Sequence, residues 1–207
     1  MGSWRWAVLG LVAVGCGSSD LVASGVLGKD ESCGYTANER YASAPRTYDF
    51  QPAAAQGGAF DCETSYYAQL LVSNENSDTA IVENAVVRIM TTDQATILFD
   101  AASTPLPNPF RVSVGSPVSG ETKGVVPVEA IPASYGAQLS HFAAFDLLVE
   151  IELLADVDGS EAGSNSLVFP IEICDGCFTF CASDPDAPTE ACDAVQRQGE
   201  ICIDDGC

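Results

Sequence analysis

Between residues 145 and 154 the chain alternates between two chemistries, with Phe145, Leu147, Val149, Ile151 and Leu153 on one parity and Asp146, Leu148, Glu150, Glu152 and Leu154 on the other. Successive side chains of an extended strand point to opposite faces, so a period of two with one fully apolar parity requires a strand with one buried face. A helix would scatter the same apolar set around its axis. The alternation returns at Leu167, Phe169, Ile171 and Ile173, and the intervening Asp156-Val-Asp-Gly-Ser-Glu-Ala-Gly-Ser-Asn165 is dense in turn formers. These two strands are expected to pair as a hairpin.

Weaker versions of the pattern place earlier strands around Ser65–Asn74, Ile81–Thr91, Ala95–Asp100, Pro109–Val114 and Thr122–Ala130. Pro127 has no N–H to give a ladder, so the last of these is expected at a sheet edge or at a bulge. A short helix is expected at Ala133–Leu139, after Pro132. About seven short strands separated by Asn, Asp, Ser, Gly and Pro predict an all-β fold, an antiparallel sandwich of immunoglobulin-like architecture. The likeness is architectural only, because both tryptophans, Trp4 and Trp6, lie far upstream of the strands.

The C-terminal stretch 174–207 is built differently. It holds six cysteines and eight acids against the single base Arg197, too little apolar surface for a core of its own. Crosslinks can substitute for one, at roughly 2–4 kcal/mol each. Cys33, Cys62, Cys174, Cys177, Cys181, Cys192, Cys202 and Cys207 make an even set of eight, which in an exported chain reads as four disulfides. Clustering favours a Cys33–Cys62 bridge over the irregular stretch between them, and the tail is expected to form a small knot on the end of the last strand. Cys174-Asp-Gly-Cys177 also invites zinc or redox readings. Asp175 between the thiols opposes thiolate formation, and an oxidising compartment favours disulfides over a four-thiolate zinc site.

The start of the chain bears on that compartment. One basic residue, Arg5, precedes the apolar run Trp6–Val14, the outline of a signal peptide. The run has nine residues, against the roughly 20 needed to span a bilayer. It ends in Ala13-Val14-Gly15-Cys16, which resembles the lipobox of bacterial lipoproteins, with Ala13 where that family prefers Leu. The resemblance implies cleavage before Cys16 and lipidation of its sulfur, with Gly17 beside it implying an outer-membrane address. Two or three acyl chains, at about 0.8 kcal/mol per buried CH₂, hold a protein to a bilayer almost permanently.

Removing the signal removes Arg5, leaving seven bases against twenty-nine acids and a formal charge of −22. Nucleic acid is thereby excluded as an expected partner, since binding it rests on neutralising phosphates with Lys and Arg. The acidity keeps the surface solvated and self-repelling, and it would also attract divalent cations or a basic partner.

Few residues could carry chemistry. Asp156, Asp158 and Glu161 put carboxylates at near-alternate positions beside Gly159, a partial echo of a calcium loop. The full pattern fails, because Ser160 takes an acidic position and Leu167 stands where the bidentate Glu would be. A plain turn is the competing reading. His141 is the only histidine, and no Gly-x-Ser-x-Gly elbow or phosphate-cradling loop accompanies it. No catalytic set and no cofactor are expected, with calcium the one sharp alternative.

Phe169-Pro-Ile-Glu-Ile-Cys-Asp-Gly-Cys177, set after an alternating strand and a Gly-rich turn and before a Cys-rich acidic tail, resembles the lipoproteins abundant in myxobacteria. That resemblance implies compartment and architecture and carries no activity. The expected organisation is a signal peptide over 1–15, a lipidated tether over 16–30, a β-sandwich with an irregular N-terminal segment over 31–173, and a disulfide knot over 174–207. The expected role is a non-enzymatic envelope lipoprotein, a structural or interaction module whose contacts are the membrane and an envelope protein or polysaccharide. A calcium- or carbohydrate-binding surface module is the alternative.

Overall fold

A computed structural model describes residues 21–30, 34–42, 47–49, 65–91, 105–132, 134–135, 146–174, 179–181 and 202–204. The strands are β1 (Leu21–Val26), β2 (Thr47–Asp49), β3 (Tyr66–Asn74), β4 (Ala80–Thr91), β5 (Phe110–Val118), β6 (Thr122–Ile131), β7 (Asp146–Val157), β8 (Ser160–Gly163), β9 (Leu167–Cys174), β10 (Thr179–Cys181) and β11 (Cys202–Asp204). Helical backbone among the described residues is confined to one 3-10 turn, Glu39–Tyr41, and the pair Ser134-Tyr135. The rest of the expected helix and the expected strand Ala95–Asp100 lie outside the described residues.

Two sheets pack face to face. One has the order β1-β3-β6 and the other β2-β9-β7-β4-β5, with β8 pairing the upper half of β7. Apart from the parallel pair β2–β9, both sheets are antiparallel. The orders β1-β3-β6 and β9-β7-β4-β5 correspond to the A-B-E and G-F-C-C′ sheets of an immunoglobulin-like sandwich. The inter-sheet disulfide of antibody domains has no counterpart, since β3 and β7 contain no cysteine.

Inward parity follows the sequence pattern. Leu147, Val149, Ile151 and Leu153 of β7 are fully buried against Leu70 and Val72 of β3, Val87 and Ile89 of β4, Val126 and Val128 of β6 and Phe169 and Ile171 of β9, in one continuous core. In β4 the buried set runs Ala80, Val82, then Ala85, Val87, Ile89, a phase change produced by a bulge at Glu83. Pro127 lies on β6, the terminal strand of its sheet, as its missing N–H requires.

The tether expectation fails from Leu21 onward. Residues 21–26 form β1, with Leu21 and Val26 fully buried and the strand paired along β3. The local sequence hides this because a bulge between Ala23 and Gly25 breaks the alternation, and long-range pairing supplies what periodicity does not. The chain then folds back, Gly28 N–H donating to Tyr41 O at 2.9 Å.

Three asparagines replace missing strand pairings. Asn165 accepts from Ala23 N at 2.8 Å and donates to Ala23 O at 3.0 Å, tying β1 to the opposite sheet. Asn108 does the same to Ile89, at 3.0 and 2.7 Å. Asn74, 2% exposed, donates to Asp78 O at 2.8 Å and Val118 O at 3.0 Å and accepts from Asn76 N at 3.0 Å. A side-chain amide has two donors and one acceptor oxygen, so it can satisfy N–H and C=O groups that no ladder reaches.

Candidate functional site

One end of the sandwich carries the sequence-derived carboxylates Asp156, Asp158 and Glu161. Leu21 is in register with Asn74, Asn74 with Thr122, and Ala80 with both Val118 and Val157. The start of β1 and the turns β3–β4, β5–β6 and β7–β8 therefore share this end. The first two turns are fastened together by Glu121 N–H donating to Asn76 O at 2.8 Å. Gly120 packs so tightly there that a Cβ would lie 2.0 Å from Ser77 O.

The turn holding Asp156, Asp158 and Glu161 is a two-residue hairpin. Asp158 and Gly159 have φ of +51° and +79°, both left-handed, between the paired residues Val157 and Ser160. Type I′ turns demand this geometry, and an Asp-Gly dipeptide meets it at least cost. Asp156 Oδ1 accepts from Gly159 N at 3.0 Å, closing the turn from below. The segment expected as loop is thus half strand: β8 continues the hairpin before the chain drops to β9.

Register places Asp156 directly opposite Glu161, and directly opposite residues share a face with Cβ atoms roughly 4.5–5.5 Å apart. Like charges in that position repel. Asp158 sits at the turn tip, exposed like Glu161. Strand pairing therefore brings two of the three carboxylates together and leaves the third on the tip. Among the described residues, no group of three or more His, Cys, Asp or Glu side chains is arranged to hold a metal ion.

At the same end, between the end of β3 and the start of β6, lies a shallow, open depression of about 360 Å³, lined by Ser73, Asn74, Glu75, Glu121, Thr122 and Lys123. Two of its lining side chains are engaged by neighbours. Asn74 is committed to the turns as described, and Lys123 pairs with Glu39. The Lys123 hydrogen bond, reinforced by its charge, holds the Glu39 carboxyl below the usual range.

His141, Cys16, Cys33, Cys62, Cys177, Cys192 and Cys207 lie outside the described residues. For three others the backbone is placed. Cys174 ends β9 opposite Asp49, while β10 and β11 run parallel with Thr179 against Cys202 and Cys181 against Asp204. The first and last thirds of the tail therefore meet as a two-stranded ribbon. The residues that periodicity and motif search passed over are the three clamping asparagines. Their only sequence signal is position, each standing next to a turn or at a strand end.

Among the described residues no helix is long and apolar enough to cross a membrane. A scan against models of protein families finds no match to this chain, and neither does a comparison with curated proteins.

Proposed function

We propose that this chain is a lipid-anchored envelope lipoprotein of the kind it resembles in myxobacteria, whose immunoglobulin-like sandwich serves as a non-enzymatic structural or interaction module. The observation that carries the reading is the closeness of anchor and fold: the lipobox-like Cys16 stands five residues before Leu21, the first, fully buried residue of β1. A sandwich clamped through its first strand suits a module that presents a fixed surface at a membrane. The even set of eight further cysteines fits an oxidising compartment. In a bacterial host supplied with labelled palmitate, the chain should take up label and partition into detergent, and Cys16→Ser should abolish both. Unlabelled wild-type protein recovered from the cytosol would overturn the reading.

A calcium-binding surface module is the second reading, favoured by the direct opposition of Asp156 and Glu161. Among the described residues no ion pair engages either carboxylate, so a bound divalent cation would relieve their repulsion. Calcium should then raise the melting temperature of the wild type, and Asp156→Asn with Glu161→Gln should remove the rise. An identical melt with calcium and with chelator would retire this version.

A further inference from the structure

Resting on the lipoprotein reading, we infer that the sandwich stands on the membrane by one defined end, with the turns β3–β4, β5–β6 and β7–β8 toward the lipid and the opposite end, around Phe110, Ile131 and Tyr135, away from it. Covalent reach is the first ground. From Cys16 to Leu21 the chain can extend at most about 17–18 Å, and Leu21 is pinned by its pairing with Asn74 and its bridge to Ser164. The membrane-side end is therefore fixed by register.

Strand direction is the second ground. β1 begins at this end and runs away from it. The strands β4 and β7 are 12 residues long, about 40 Å at the rise of a strand. The far end is thus more than twice the tether's reach from the attachment point.

Charge decides between standing and lying. The mature chain carries −22, and an anionic bilayer repels it. At physiological salt that repulsion decays over about 8 Å. Fully extended, the tether reaches at most roughly two such lengths from Leu21. Lying on one flank would bring the whole length of the acidic body inside it.

The test uses the full chain, extracted from membranes and reconstituted in vesicles of phosphatidylethanolamine and phosphatidylglycerol whose headgroups carry an energy-transfer acceptor. A donor dye is attached through azidophenylalanine placed at Thr79, exposed at the near end, or at Ser134, exposed at the far end. Intact mass establishes acylation in each sample. Transfer several-fold stronger from position 79 than from position 134 is the expected result. Equal transfer, or stronger transfer from position 134, in acylated protein would overturn the orientation and leave the anchor standing. Protein that associates with vesicles without acyl mass would overturn the anchor and the orientation with it.

Discussion

Replacing Asn74 by alanine removes three hydrogen bonds at a point where both sheets and two turns meet. The side chain is 2% exposed and serves Asp78 O, Val118 O and Asn76 N at 2.8–3.0 Å. Each such bond contributes about 1 kcal/mol net, and stranding a buried carbonyl such as Val118 O costs about 1–3 kcal/mol. Two of the three orphaned groups lie nearer solvent and can recruit water. The expected loss is therefore about 2–4 kcal/mol, or roughly 4–16 °C in melting temperature for a domain of this size. Asn74→Asp sharpens the test. Its shape is unchanged and it still accepts from Asn76 N, but a second acceptor oxygen now faces two carbonyls. The buried carboxyl should have its pKa raised above the unfolded ~3.9. Protonation restores a donor, so the penalty is smallest below the unfolded pKa and grows as pH rises toward and through the raised folded value. Thermal melts of the chain followed by circular dichroism between pH 3 and 8 report both effects. An Asn74→Ala melt within a degree of wild type, or an Asn74→Asp penalty relative to wild type that is smaller at pH 7 than at pH 4, would refute the clamp.

Leu153→Ala, at a fully buried position of β7, should cost about 3–5 kcal/mol through lost transfer energy and a cavity, read as a lowered urea midpoint with unchanged slope. Gly120→Ala should be far worse tolerated than an exposed alanine substitution, by about 1–3 kcal/mol, because its Cβ would meet Ser77 O at 2.0 Å; calorimetry on both variants decides. Glu39 should titrate below the ordinary glutamate range, first because Lys123 donates to it and then because of the Lys123 charge. Its small contribution is present above the unfolded value of ~4.3 and fades as pH falls through the depressed folded value, so carbon-13 titration of Lys123→Ala should show the Glu39 midpoint move up.

Strands whose apolar residues keep strict parity were readable from sequence alone. The β7 and β9 patterns predicted both the elements and the buried face, because a strand with one wet side cannot avoid the signature. Pro127 likewise announced its edge. Strands defined by partners left little trace. β1 contains a bulge and small residues and exists because β3 and Asn165 hold it, while β8 has no fully buried apolar residue and exists because Asp158-Gly159 forms a hairpin turn. That dipeptide was visible among the turn formers, yet a dense cluster of such residues reads as loop before it reads as hairpin. The carboxylate site was legible as composition only. Spacing along the chain hinted at a calcium loop, whereas register opposes Asp156 to Glu161 and sends Asp158 to the tip.

The most direct measurement for the whole account is the intact mass of the protein taken from the cells that make it, before and after reduction. A chain beginning at Cys16, heavier by a diacylglyceryl group and an acyl chain, and gaining eight hydrogens on reduction, is the predicted spectrum. An unacylated chain that retains Met1 and gains nothing on reduction would contradict it.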